Sequence, residues 1–145
     1  DDLLQLHTAV VPRNIRQIRR LLDQQQARDE GAAHLGQGRQ FVLVIRGMIE
    51  RVTISADRPL VLGRFEAGGR VGGQIDLTPY GALDRGVSRQ HARLSLDDDQ
   101  VYITDLDSTN STFIAGERLL PHQPHLLHSE DQILLGRLCV QILFL

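Results

Sequence analysis

From residue 41 to the last residue, apolar and polar positions change over short runs, and the runs read as strands. Phe41-Val42-Leu43-Val44-Ile45 is rich in β-branched residues, which fit a pleated, half-buried surface. Arg51-Val52-Thr53-Ile54-Ser55 alternates with period two. Leu60-Val61-Leu62 runs directly into Gly63-Arg64. His91-Ala92-Arg93-Leu94-Ser95-Leu96 alternates, breaks at Asp97-Asp98-Asp99 and resumes in Val101-Tyr102-Ile103, the pattern of a β-hairpin around a solvated acidic turn. Gln132 to Leu135 and Leu138 to Phe144 predict two closing strands. Many short strands separated by turn residues predict an all-β fold, an antiparallel β-sandwich over residues 41–145.

Residues 1–40 have another texture. Ile15, Ile18, Leu21 and Leu22 recur at helical spacing behind a capping Asn14, and Arg13, Arg16, Arg19 and Arg20 accompany them. This predicts an amphipathic helix over about residues 14–26. Gly31, Gly36 and Gly38 then read as a glycine-rich linker. The narrow apolar stripe suits packing on its own domain or on a partner, and a homo-oligomer through this helix is one such arrangement.

Composition narrows the class. A chain of 145 residues suits one domain plus an extension. Its net charge is −2 and only 4% of residues are aromatic, which disfavours a nucleic-acid surface. No apolar run approaches the ~20 residues of a membrane span. Asp1-Asp2-Leu3-Leu4 lacks the basic region and apolar stretch of a secretory signal, and a start without methionine fits a piece of a longer protein. All 16 basic residues are arginine, so lysine-based catalysis is excluded. The single cysteine, Cys139, lies in an apolar run, reads as a buried small hydrophobe, and fits a reducing, cytoplasmic setting.

Three segments fall where strands meet loops: Gly63-Arg64, Ser88-Arg89-Gln90-His91 and Asp105 to Thr112. In a sandwich such loops cluster at sheet ends, so the three could converge on one ligand. Arg64 and Arg89 offer charged forks, Ser88 and Thr109 offer hydroxyls, and Asn110 offers an amide. Donors around fixed positive charge are what a phosphate dianion requires.

These segments, in this order and with Leu134-Leu135-Gly136 near the end, resemble the forkhead-associated (FHA) domain family from about Phe41 to Leu145. The resemblance implies an eleven-stranded sandwich that binds a threonine-phosphorylated protein or peptide across its loop tips, downstream of a Ser/Thr kinase, and that is not an enzyme. It implies that Arg64, Ser88, Arg89, Thr109 and Asn110 contact the phosphopeptide, with Gly63, His91 and Ser108 as structural support. Two places depart from the family pattern: Asn110-Ser111 and Ala115-Gly116 stand where Asn-Gly is usual. Glycine takes positive φ without steric cost and serine does not, so the loop after Asn110 is expected to take another turn. That departure motivates an alternative, a phosphate-independent interaction or oligomerisation scaffold.

Other chemistry is thin. His122, His125 and His128 form His-x-x-His-x-x-His, but the segment carries Pro121 and Pro124, and no carboxylate or cysteine completes a zinc spacing. No metal and no cofactor are therefore expected. Asp97 to Asp99 lack the glycine and distal glutamate of a calcium loop. Thr8, on the N-terminal segment, and Thr78, before Pro79, are candidate phosphorylation sites that could feed the same pocket.

Overall fold

Period-two alternation carries through into the chain, a computed structural model that describes residues 33–65 and 72–145. The strands are β1 (Gln40–Ile45), β2 (Met48–Thr53), β3 (Leu60–Gly63), β4 (Gln74–Asp76), β5 (Ala92–Asp97), β6 (Gln100–Asp105), β7 (Thr112–Ile114), β8 (Glu117–Arg118), β9 (His125–Leu126), β10 (Gln132–Leu135) and β11 (Leu138–Phe144). They form a six-stranded sheet, β2-β1-β11-β10-β7-β8, and a five-stranded sheet, β4-β3-β5-β6-β9. Pairing is antiparallel except between β3 and β4, which run parallel. Only a short 3-10 turn at Thr78–Tyr80 interrupts the β texture among the described residues. The expected helix at about 14–26, the oligomerisation it could support, and Thr8 lie outside the described residues.

The alternation selects which side chains enter the core. Phe41, Leu43 and Ile45 of β1, Ile133 and Leu135 of β10, and Leu138, Val140 and Ile142 of β11 belong to one buried cluster with Leu62, Leu94, Val101 and Ile103 of the other sheet. Burying each contributes about 1.5–3 kcal/mol. Because β11 buries residues 138, 140 and 142, Cys139 must point the other way: it is exposed, not buried as its apolar surroundings suggested. Parity along the strand, rather than local hydropathy, decides its face.

The fold begins ahead of β1. Leu35 is buried, its N–H donates to the Asp99 carbonyl at 2.6 Å, and His34 Nδ1 lies 2.9 Å from Asp99 Oδ1. The acidic hairpin turn thus holds the incoming chain, with Asp98 at a φ of 59°.

Candidate functional site at the loop tips

Register places the three segments at one end of the sandwich. Leu62 at the end of β3 pairs with Ala92 at the start of β5, and Ala92 pairs with Asp105 at the end of β6. In the other sheet Leu135 pairs with Thr112, which brings the β10–β11 turn to the same end.

Gly63 lets the first two segments touch. A Cβ on it would lie 2.0 Å from the Arg89 carbonyl oxygen, so no other residue fits. The Arg64 N–H donates to that carbonyl at 3.1 Å, and the Arg64 Nε donates to the Val87 carbonyl at 2.5 Å. The guanidinium is therefore anchored by one edge and half-buried, and among the described residues its terminal nitrogens make no hydrogen bond.

His91 is fully buried beneath the loops. Its Nδ1 accepts from the Ser88 N–H at 3.0 Å, which assigns the ring proton to Nε2, and Nε2 donates to the Ser111 carbonyl at 2.9 Å. Burial pushes the imidazole below its ordinary value of 6.5, against the opposing pull of the Ser111 bond and of Asp105. A neutral ring is the form that makes both bonds.

The Ser111 carbonyl also accepts from the Gly136 N–H at 3.0 Å. To aim it there, Ser111 adopts a φ of 68°. The expectation of another turn after Asn110 is thus corrected: the chain keeps the left-handed turn and carries about 1–2 kcal/mol of strain in doing so. Ala115 does the same at a φ of 52°, followed by Gly116 at 78°, in the two-residue hairpin between β7 and β8.

Ser88 Oγ accepts from the Thr109 N–H at 3.0 Å, which leaves the serine O–H as a donor. Asn110 Nδ2 donates to the Gly86 carbonyl at 3.0 Å, and its oxygen and second N–H make no further hydrogen bond among the described residues. So Val87, Ser88 and Gly86 hold Arg64, Thr109 and Asn110 respectively, and three sequence-distant segments share one short stretch of backbone.

The loop beneath is braced by a carboxylate that sequence reasoning did not single out. Asp105 accepts from Ser108 Oγ at 2.6 Å, from the Ser108 N–H at 3.1 Å and from Thr112 Oγ1 at 2.7 Å. Burial alone would raise this carboxyl, but those hydrogen bonds, with His91 nearby, outweigh it and hold it below the usual value. Gly86 was missed too. It sits at a φ of 76°, and a Cβ there would come 2.5 Å from Asn110 Nδ2. The Asp-x-x-Ser-x-x-x-Thr spacing and the glycine before the Val-Ser pair were the signals available. At the neighbouring loop Asp76 Oδ1 accepts from the Phe65 N–H, the Thr78 N–H and Thr78 Oγ1, so the Thr78 hydroxyl is already engaged.

The Arg89 side chain is exposed, and it is the Arg89 carbonyl that binds Arg64. His122 contributes its N–H to the Asp105 carbonyl at 2.8 Å, His125 is in β9, and His128 Nδ1 lies 3.9 Å from Asp131. Among the described residues no group of three or more His, Cys, Asp or Glu is placed to hold a metal ion. Nor is any described helix long and apolar enough to cross a membrane.

Comparison with known proteins gives a consistent picture. The family model of the FHA domain matches residues 61–136. Protein FraH of Nostoc sp. (strain PCC 7120 / SAG 25.82 / UTEX 2576) is 38% identical over 68 residues, a stretch covering 47% of this chain but only 23% of that protein. The chain therefore spans well under half the length of this curated relative. The FHA domain of an Arabidopsis thaliana hypothetical protein superposes with a TM-score of 0.58 at 23% identity, covering 73% of this chain and 86% of that one. A structure from a study of phosphothreonine-dependent FHA domain interactions superposes with a TM-score of 0.56 at 22% identity, covering 73% and 97%. At such identities the structural likeness is one of fold.

Proposed function

The chain belongs to the FHA domain family, and on that premise we propose that it reads phosphothreonine in a partner protein phosphorylated by a Ser/Thr kinase, the kinase itself being one such partner. A phosphothreonine carries about −1.5 to −2 charges and three strong acceptors. The Arg64 guanidinium and the Ser88 hydroxyl meet the phosphate. Thr109 lines the pocket, Asn110 bonds the peptide backbone, and Arg89 reaches the phosphate or the residues after it. The observation that carries this reading is Ser88. Its oxygen accepts from the Thr109 N–H, so its proton is free to be given to a ligand, beside an arginine that is anchored by a carbonyl and meets no carboxylate among the described residues.

The same wiring argues against catalysis. A general base needs a free lone pair, and both ring nitrogens of His91 are engaged. We therefore read the module as a binding domain and not an enzyme, working in the cytoplasm, where an exposed free thiol such as Cys139 persists. Since Ser111 keeps the left-handed turn, the motive for a phosphate-independent scaffold lapses.

Titration of phosphothreonine peptides against wild type, Ser88→Ala and Arg64→Ala tests the proposal, with matched unphosphorylated and phosphoserine peptides as controls. Each variant removes a hydrogen bond to a charged group, about 1.5–3 kcal/mol, or roughly 10- to 150-fold in affinity. Circular dichroism of both variants should remain that of the folded sandwich. Equal affinity for phosphorylated and unphosphorylated peptides, or unchanged affinity in both variants, refutes it.

A further inference from the structure

The outward face of the six-stranded sheet carries a second concentration of chemistry that the loop-tip site does not use. Arg46 in the β1–β2 turn, Arg85 before β5 and Arg137 in the β10–β11 turn surround a depression of about 360 Å³. The heads of Arg46 and Arg85 converge: a Cβ on Gly81 would stand 3.0 Å from Arg46 Nη1 and 3.7 Å from Arg85 Nε. Like charges gathered this way repel unless an anion lies among them. Yet among the described residues none of the three meets a carboxylate. Arg137 Nη2 donates to the Asp84 carbonyl at 2.6 Å, and Arg46 Nη1 to the Tyr80 carbonyl at 3.4 Å. These carbonyls fix the guanidinium groups in place while leaving their charge uncancelled.

An apolar strip continues from this cluster. Phe113, Leu134 and Cys139 form one cross-strand row on the outward face of β7, β10 and β11, because Leu134 pairs with Phe113 on one side and with Cys139 on the other. They line a second depression, about 430 Å³, which shares Cys139 and Gln132 with the arginine end. No serine, threonine or tyrosine hydroxyl lines the arginine end, so it lacks the converging neutral donors of a phosphate pocket. A groove cationic at one end and apolar at the other complements a chain that is acidic and greasy in turn.

We propose that this face docks an extended acidic segment of a partner protein, its carboxylates on Arg46, Arg85 and Arg137 and its apolar side chains on the Phe113–Leu134–Cys139 row. The proposal goes beyond phosphothreonine reading and does not depend on it. The two sites do share backbone: the Arg85 carbonyl accepts from the Arg137 N–H at 2.8 Å and the Gly86 carbonyl accepts from Asn110 Nδ2. A partner bound at one could therefore continue into the other.

The test is an NMR titration of the ¹⁵N-labelled chain with a short unphosphorylated peptide of glutamates flanking two leucines. Its counterpart with glutamine for glutamate, and inorganic phosphate, are run beside it. The glutamate peptide should shift the amides of Arg46, Arg85, Leu134, Arg137 and Cys139. The glutamine peptide should bind at least about tenfold more weakly, a difference of about 1.4 kcal/mol. Ser88→Ala should leave the response intact, and Arg46→Gln/Arg137→Gln should remove it. Because Arg137 braces a loop, Arg46→Gln alone and the salt dependence of wild-type affinity are read as well, and both should weaken binding. Equal binding of the glutamine peptide, an unchanged response in the arginine variants, or shifts confined to residues 64, 88 and 110 would overturn the proposal. So would a response at the arginines to phosphate but not to the glutamate peptide.

Discussion

Replacing Ser111 with glycine should make this protein more stable, although the substitution removes a side chain. Ser111 holds a φ of 68°, which costs an L-residue about 1–2 kcal/mol relative to the right-handed region. Glycine escapes that cost but loses more backbone freedom on folding, about 0.5–1 kcal/mol. The serine side chain is half-exposed and its hydroxyl makes no hydrogen bond among the described residues, so its loss weighs little. The balance is about 0–1.5 kcal/mol in favour of Ser111→Gly, centred on about 0.75 kcal/mol, or a rise in Tm of about 2–4 °C for a chain of this size. Urea unfolding followed by circular dichroism should show a higher midpoint with an unchanged slope. Ala115→Gly, at a φ of 52° in an exposed turn, should act in the same direction. Because the Ser111 carbonyl already reaches both His91 and Gly136, the glycine variant should leave phosphopeptide affinity within about threefold, well under the 1.4 kcal/mol of a tenfold change. A lower midpoint in both variants would refute the strain argument. A tenfold gain in affinity would show that serine had displaced the loop.

Gly63→Ala sets a Cβ against the Arg89 backbone oxygen, where nothing flexible can yield, and should cost about 3 kcal/mol or more in urea unfolding. Gly86→Ala forces positive φ and pushes the Asn110 amide, so it should lose about 1–2 kcal/mol of stability and weaken phosphopeptide binding measured by anisotropy. His91 binds its proton less readily folded than unfolded. Its share of stability is therefore intact above pH 6.5 and is lost as pH falls below that value, and His91→Gln should flatten this limb of the stability profile. Asp105, held below the ordinary 3.8, adds stability that is present above that value and lost as pH falls through its depressed one; Asp105→Asn should cost about 1–3 kcal/mol at neutral pH and remove that acid limb.

Much of the fold was legible because burial enforces parity. Phe41 to Ile45, the hairpin around Asp98 and the pair of closing strands all announce themselves by which positions are greasy. The strands that were not read, Gln74–Asp76, Thr112–Ile114, Glu117–Arg118 and His125–Leu126, have two or three residues each, too few for a period to show. The parallel pairing of β3 with β4 depends on contacts between chain segments, which a local pattern does not encode. At the candidate site, residue types and order pointed to Arg64, Ser88 and Asn110. The supporting bonds did not declare themselves, since Val87 and Gly86 act through backbone carbonyls that any residue would supply. Ser111 was misjudged for a related reason. A local rule opposed the left-handed turn, and two hydrogen bonds to its carbonyl overrode it.

A reader of anions must keep its cations in place without neutralising them. A carboxylate partner would anchor Arg64 more firmly but would occupy the charge meant for the ligand. The Val87 carbonyl anchors it through a dipole and leaves the charge in force. Arg46 and Arg137 are held by the same device. Asp105, the one buried carboxylate among the described residues, is spent on Ser108 and Thr112. The consequence falls on His91. Because its ring joins the Ser88 N–H to the Ser111 carbonyl, a proton on Nδ1 would free the serine segment from its brace while leaving the charge at Arg64 unchanged. Acid should therefore weaken binding in two ways, by the charge that the phosphate loses at about pH 6 and, at lower pH, by loosening the donor at Ser88. The loosening should set in only as pH falls through the depressed value that His91 holds in the fold, below the range in which the unfolded chain first takes up the proton.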